Sequence, residues 1–285
     1  MLVFASVAAL RLTSEWSLSY AALIPYATPG FIAFGVCAVL AGWIADKWSR
    51  EGMIVIFFIG IGISSILAGM ANTPIQIALG LTLIGIFAAI YHPVGLAMVV
   101  QGRVKTGMPL AVNGVFGNLG VASAALLTGF LIDSAGWRSA FFVPGVISIL
   151  LGLSYWVFVS SEKRVTADNA ETGSRGAKLE SRAITRQVLL KVFAIIFFTT
   201  AIGGLIFQST TFALPKIFAE RLTEIAGSAT LVGWYAFLVF SLAALAQLVI
   251  GYLVDHHSVR TVFAIVALLQ AIFFYLMTHL DGLMA

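Results

Sequence analysis

The chain has 285 residues, of which 60% are apolar and only 10% are charged, whereas an average soluble domain has about 25% charged residues. So few charges cannot form the surface that a soluble protein of this size needs, and lipid must therefore be part of its solvent. The net charge of +4 does not indicate a nucleic-acid partner, because no basic patch carries interleaved aromatic residues. A single cysteine, Cys37, excludes an intrachain disulfide.

Eight apolar stretches are each long enough to cross a bilayer as a helix, which takes about 20 residues. In chain order they lie at about 21–45, 52–70, 75–100, 107–132, 139–161, 192–215, 228–254 and 261–280. The second and third belong to one long apolar run, which we divide at Asn72-Thr73-Pro74 because Asn and Pro favour a turn. Residues 1–10 are too short to cross alone and are interpreted as the stub of a further helix. The predicted fold class is therefore an all-α polytopic membrane protein.

The basic residues predict the orientation of these helices. Twelve of the sixteen Lys and Arg residues lie in alternate loops, which places them all on one side of the membrane. The positive-inside rule makes that side cytoplasmic. A polar segment at 162–191 is then a cytoplasmic linker between an N-terminal bundle, 1–161, and a partial C-terminal bundle, 192–285. We expect a multi-pass protein of the cell membrane, and specifically of a bacterial inner membrane.

A short pattern, Gly-x-x-x-Asp, recurs at the predicted cytoplasmic ends of two helices. It runs from Gly42 to Asp46 and again from Gly251 to Asp255, so that the two copies are 209 residues and six predicted spans apart. Such a period is typical of a duplicated bundle. The glycine permits close helix approach, and the aspartate is suited to a helix N-terminus or to a cation such as Arg50. The set that we predict as a conformational gate is Gly42, Asp46, Lys47, Arg50, Gly251, Asp255 and Arg260. The alternative is a plain helix end with solvated charges.

These segments resemble those of the major facilitator superfamily. Residues 42–47 and Arg50 are similar to the Gly-x-Leu-Ala-Asp-Arg motif between its helices two and three, and 251–256 to the second-half copy. Residues 136–141 resemble the segment that opens helix six. A finer similarity, of 91–93 and 113–120, is to fosmidomycin-resistance-like members. The resemblance implies a helical bundle with an incomplete second half, since the chain would cover helices two to nine of twelve and would be truncated.

The resemblance further implies secondary active transport of a small polar or amphipathic solute by alternating access, with efflux as one direction and protons as one coupling ion. The alternative is a truncated fragment that does not transport and serves as a membrane assembly partner. No nucleophile with a base, Cys/His cluster or phosphate-binding loop is visible in the sequence. We therefore expect neither an enzyme nor a cofactor. The expected partners are the solute and the lipid bilayer.

Polar residues within the predicted spans are the candidates for a substrate or proton pathway. His92 lies deep in the third span and could carry a proton or bind an anion. The other candidates are the amides Asn113, Asn118, Gln208 and Gln247. Each amide could also serve only as a hydrogen bond between helices, typically worth about 0.6 kcal/mol. His92 could likewise be a neutral histidine that a neighbouring helix satisfies.

Overall fold

The computed structural model describes residues 3–4, 11–169, 186–221 and 229–279, with some side chains left out within the helices. Over these ranges the chain is all-α, as predicted. We number the principal helices α1 (Tyr20–Lys47), α2 (Arg50–Gly69), α3 (Pro74–Val100), α4 (Gly107–Ala135), α5 (Ser139–Asn169), α6 (Arg186–Arg221), α7 (Ala229–His256) and α8 (Val259–His279). Seven of them are long and apolar enough to cross a membrane within the described residues. The described apolar part of α6, Phe193–Phe207, is shorter.

Side-chain caps determine where two of these helices begin. The Ser49 hydroxyl accepts a hydrogen bond from the Gly52 amide at 3.0 Å and so starts α2. At the predicted turn, the Thr73 hydroxyl accepts from the Gln76 amide at 3.3 Å, and Pro74 takes the first helical position. Ser and Thr at a helix start satisfy amides that lack a partner within the helix, and proline there loses no hydrogen bond. The apolar run of 52–102 is therefore two helices.

Helix α3 is itself interrupted. Its two helical segments, Pro74–Ala88 and Tyr91–Val100, are separated by Ala89 and Ile90. Pro93 has no amide hydrogen and cannot donate to the carbonyl of Ala89 four residues earlier. The interruption therefore has a local cause, and it lies immediately before Tyr91 and His92.

The first five helices pack around two apolar clusters. One cluster contains Leu23, Ile77, Ile132 and Phe141, and the other is built on Met53 and its neighbours in α1 and α3. Helix α2 packs on α5 and α3, and α3 also packs on α1. Many large apolar side chains remain exposed on the outer faces of the helices. That distribution suits a protein whose surroundings are lipid.

A polar network closes one end of this five-helix bundle. The Trp137 Nε1 donates to the Glu15 carboxylate at 2.6 Å, and Arg138 lies 3.4 Å from the other oxygen of that carboxylate. Arg138 also donates to the Ala71 carbonyl at 3.2 Å and to the Asn72 side chain at 2.9 Å. The short helix Thr13–Glu15, the α2–α3 turn and the α4–α5 turn are thus joined at one end. The opposite end, at the loops with Lys47, Arg103 and Arg260, is called the basic end below.

Helix α7 connects the second half of the chain to the first. It packs along α4 in an extensive contact, in which Ala122 of α4 and Ala244 of α7 are buried. The two helices run antiparallel, so the start of α4 and the end of α7 meet at the basic end. We call this contact the α4–α7 seam.

Candidate functional site

Asp255 caps the N-terminus of α4 from the other half of the chain. Its two carboxylate oxygens accept hydrogen bonds from the amides of Gly107 and Met108, both at 2.8 Å. Thr106, the residue before α4, makes no side-chain cap of its own. The first amides of a helix have no partner within it and carry partial positive charge. A carboxylate therefore fits this position better than a neutral side chain, and here it comes from the end of α7.

Two glycines allow the backbones to meet beside this cap. A β-carbon on Gly107 would lie 2.5 Å from the Gly251 carbonyl oxygen, and one on Gly251 would lie 2.9 Å from the Gly107 carbonyl oxygen. A β-carbon on Gly251 would also overlap the side chain of Ala111. Any larger residue at these positions would separate the helices and pull Asp255 away from the amides. The spacing of Gly251 and Asp255, four residues apart, places both on the same helix face.

Basic groups lie around the same cap. The Lys105 Nζ is 3.4 Å from the His256 Nε2, and the His256 Nδ1 is 2.8 Å from the Tyr252 carbonyl oxygen. Because a carbonyl oxygen can only accept, the contact at Nδ1 is a hydrogen bond in the tautomer that carries its proton there, and in that tautomer the Nε2 can accept from Lys105. The imidazole also stacks on the Tyr252 ring, with centroids 4.2 Å apart. Lys105 was not among the predicted gate residues, although its position before α4 follows from the sequence.

The first copy of the pattern has different contacts. Arg50 donates to the Asp46 carboxylate at 2.9 Å, and its other terminal nitrogen is 3.4 Å from the Gln101 side-chain oxygen. The Asp46 side chain is 66% exposed, and within the described ranges no helix N-terminus bonds to it. A β-carbon on Gly42 would lie 3.3 Å from Pro93 of α3. Among the described residues, Lys47 and Arg260 are exposed and form no ion pair.

Two pairs of polar side chains lie further along α4, away from the basic end. The Asn118 amide donates to the Gln247 side-chain oxygen at 3.0 Å, which adds a polar contact to the α4–α7 seam. Gly114 lies directly against the Gln247 amide, where a β-carbon would not fit. On the opposite side, the Tyr91 hydroxyl donates to the Asn113 oxygen at 2.5 Å and joins α3 to α4. Asn113 and Asn118 therefore face different neighbours.

His92 is exposed and lies between two aromatic rings. Its imidazole meets the Phe34 ring edge-on with centroids 5.6 Å apart, and the Tyr91 ring edge-on at 6.2 Å. Within the described part of the chain it makes no hydrogen bond. Ile90 and Val94, two residues to either side, are 5% and 1% exposed. Side chains four apart share a helix face and the residue midway between them points the opposite way, so His92 points away from the bundle core.

The predicted pathway residues are thus only partly brought together. Asn118 and Gln247 are bonded to each other, while Asn113 is linked to His92 only through the neighbouring Tyr91. Gln208 lies in α6, and its side chain is outside the described residues. Sequence reasoning missed Tyr91 and Phe34. A tyrosine hydroxyl within a membrane span needs a hydrogen-bond partner, and that requirement was the available signal for Tyr91.

Comparison with known proteins gives a consistent result. A profile of the Major Facilitator Superfamily matches residues 1–223. The gallate transporter of Pseudomonas putida is 23% identical over 282 residues, which cover 89% of this chain and 62% of that protein. The 4-hydroxybenzoate transporter PcaK of the same organism is 22% identical, covering 93% of this chain and 64% of that protein. The multidrug resistance protein MdtG of Escherichia coli is 24% identical, with coverages of 78% and 52%. The chain therefore spans less than two thirds of the length of these relatives.

Proposed function

Because the chain belongs to the major facilitator superfamily, we propose that it carries out secondary active transport of a small organic acid across a cell membrane by alternating access. The superfamily and its transporter relatives support solute transport in general, and not an enzyme. The narrower substrate class is suggested by two relatives that match most of the chain, the gallate and 4-hydroxybenzoate transporters. The similarity of 91–93 and 113–120 to the fosmidomycin-resistance-like branch stays a prediction.

The observation that carries this proposal is the Asp255 cap on α4. Alternating access requires contacts between the two halves that form in one state and break in the other. The cap joins the halves through two hydrogen bonds at the basic end, which the positive-inside rule assigns to the cytoplasm. In our proposal this arrangement is the state closed to the cytoplasm. The transition to the other state then requires both hydrogen bonds to break and water to replace them.

The first Gly-x-x-x-Asp copy also has a role in this proposal. Asp46, paired with Arg50, lies at the same end and is the repeat counterpart of Asp255. We expect it to contribute to closure through its charge, together with Gly42, Lys47 and Arg260. His92, Asn113, Asn118, Gln208 and Gln247 remain the proposed pathway, and protons remain the proposed coupling ion. Import and export are the same cycle run in opposite directions, so the assay must follow both.

The test is flux in proteoliposomes that contain the purified chain. Labelled 4-hydroxybenzoate and gallate are followed inward and outward, with and without an imposed proton gradient. We expect flux above that of empty liposomes, and a severalfold loss in Asp255→Asn, which removes the charge from the α4 cap. The matched control is Asp133→Asn, which makes the same change in an exposed residue at the other end of α4, and it should keep the parental flux.

Two results would overturn parts of this proposal. If the folded chain moves neither acid in either direction, transport by the chain alone is wrong, and the assembly-partner alternative is favoured. If Asp255→Asn transports as fast as the parent chain, the cap is not a gate. Unchanged flux in Asp46→Asn would remove the gating role of the first copy alone.

A further inference from the structure

We propose that His92, with the flanking rings of Phe34 and Tyr91, forms a recognition site for the carboxylate and ring of an aromatic acid. This inference rests on the proposed function and adds to it a chemical class of substrate and the groups that bind it. The three side chains come from two helices, α1 and α3, and their rings meet edge to face. An exposed imidazole flanked by two aromatic rings offers a hydrogen-bond donor beside apolar ring surfaces.

The position of His92 favours a binding site over a lipid-facing residue. It lies on the face of α3 opposite the buried Ile90 and Val94, so it points away from the apolar cluster around Met53. Helix α1 borders this face through Phe34. Polar and ionisable residues within a span almost always face a cavity or another helix, because exposure to lipid is costly. Substrate sites of such transporters lie near the midplane between the two halves.

The Tyr91 ring is held in place independently of any ligand. Its hydroxyl donates to Asn113 of α4, and its ring packs beside Phe57 of α2 with centroids 5.3 Å apart. Tyr91 is therefore held by contacts with two neighbouring helices, α2 and α4, before a ligand arrives. A pre-organised ring loses little conformational freedom on binding, which favours affinity. Asn113 acts here as a positioning residue, since it orients the tyrosine and does not contact His92.

The chemistry of this arrangement matches an aromatic carboxylate. The imidazole can donate a hydrogen bond to a carboxylate oxygen, and the Phe34 and Tyr91 rings can receive an aromatic ring edge to face. In the described helices, the Lys and Arg residues lie near helix ends, away from this position. A single imidazole suits a single negative charge better than a dianion such as a phosphate monoester.

Binding to the detergent-solubilised chain tests this site without requiring transport. Isothermal titration compares 4-hydroxybenzoate with 4-hydroxybenzyl alcohol, which keeps the ring without the carboxylate, and with cyclohexanecarboxylate, which keeps the carboxylate without aromaticity. We expect 4-hydroxybenzoate to bind more tightly than either analogue. In His92→Phe, which preserves an aromatic ring, its affinity should fall about tenfold or more, as for loss of a charge-assisted hydrogen bond.

Two further variants separate recognition from structure. Phe34→Leu should lower the affinity for 4-hydroxybenzoate severalfold and leave the affinity for cyclohexanecarboxylate nearly unchanged. The matched control, His279→Phe, makes the same change in a histidine at the end of α8 and should bind like the parent chain. The proposal is overturned if His92→Phe binds 4-hydroxybenzoate as tightly as the parent chain does. It is also overturned if this substitution lowers the affinity for 4-hydroxybenzyl alcohol as much as the affinity for 4-hydroxybenzoate. It is also overturned if the parent binds none of the probes.

The outcomes distinguish this site from the transport proposal. Flux that survives in His92→Phe with an unchanged KM for 4-hydroxybenzoate would refute the recognition site and leave transport standing. Binding that depends on His92 without any flux would refute transport by the chain alone and leave the recognition site.

Discussion

The two Gly-x-x-x-Asp copies have the same spacing and occupy matching helix ends, yet their aspartates have different partners. Asp255 reaches across to another helix and caps the amides of Gly107 and Met108. Asp46 pairs with Arg50, only four residues away. One copy therefore connects the two halves of the chain, while the other is a local contact at a surface. A repeated motif specifies the residue types at a position, and the surrounding helices determine what those residues do.

The largest expected difference between the copies concerns the glycines. Gly251→Ala would force a methyl group into Ala111 and towards the Gly107 carbonyl, whereas Gly42→Ala meets only Pro93, at 3.3 Å. Overpacking of a close contact costs about 1–3 kcal/mol. We expect a loss of that order in the free energy of unfolding for Gly251→Ala and a clearly smaller one for Gly42→Ala. Unfolding by SDS, followed by circular dichroism, measures both, and equal losses would contradict the comparison.

The next effect concerns local opening at the basic end. Asp255→Asn removes the charge that holds the first turn of α4, so the amides of Gly107 and Met108 should exchange hydrogen severalfold faster. Asp46→Asn should leave the exchange of these amides unchanged. Hydrogen exchange read by mass spectrometry on peptides covering 107–115 provides the measurement. If both variants accelerate exchange there, the two copies act as one unit and the distinction drawn here is wrong.

A smaller effect is expected deeper in the α4–α7 seam. The Asn118–Gln247 hydrogen bond should contribute about 0.6 kcal/mol, the average for polar side-chain pairs between membrane helices. A double-mutant cycle with Asn118→Leu and Gln247→Leu isolates this coupling from the cost of each substitution. The pair Tyr91→Phe and Gln247→Leu is the matched control, because Tyr91 bonds to Asn113 instead. A coupling of zero for the first pair would mean that the amides do not hold the seam together.

The smallest effect concerns the surface pair of the first copy. Arg50→Gln should lower the free energy of unfolding by only about 0.2–1 kcal/mol, the usual contribution of an exposed ion pair, because this pair spans the turn between α1 and α2. The difference should shrink in high salt, which screens exposed charges. Arg103→Gln, at an exposed position of the same end, serves as the control and should show less change. A loss above about 1 kcal/mol would assign Arg50 a larger role than an exposed pair usually has.

The sequence predicted the all-α class, because hydropathy and helix length are local properties. It also predicted the turn at Asn72 and Pro74, whose side chains restrict the backbone directly. For Asp255 it predicted either a helix N-terminus or a cation as partner. It did not identify α4 as that helix, because the partner is 147 residues away in sequence and depends on how the bundles pack.

The candidate site was harder to predict for the same reason. His92, Asn113, Asn118 and Gln247 were recognised as polar groups in apolar spans, but their pairing follows from helix rotation and register. Asn113 bonds to Tyr91 of α3 and Asn118 to Gln247 of α7, and a single sequence does not reveal which helix packs beside each of them. The eight predicted spans also exceed the seven found in the described residues, since the described apolar part of α6 is short.

The network of Glu15, Trp137 and Arg138 has a mechanical consequence. It joins the short helix Thr13–Glu15, the α2–α3 turn and the α4–α5 turn at the end of the first bundle that lies away from the cap. Because these contacts hold the ends of α2, α3, α4 and α5 together, we expect the helices of the first bundle to tilt as one body, and not separately, when the start of α4 moves with α7.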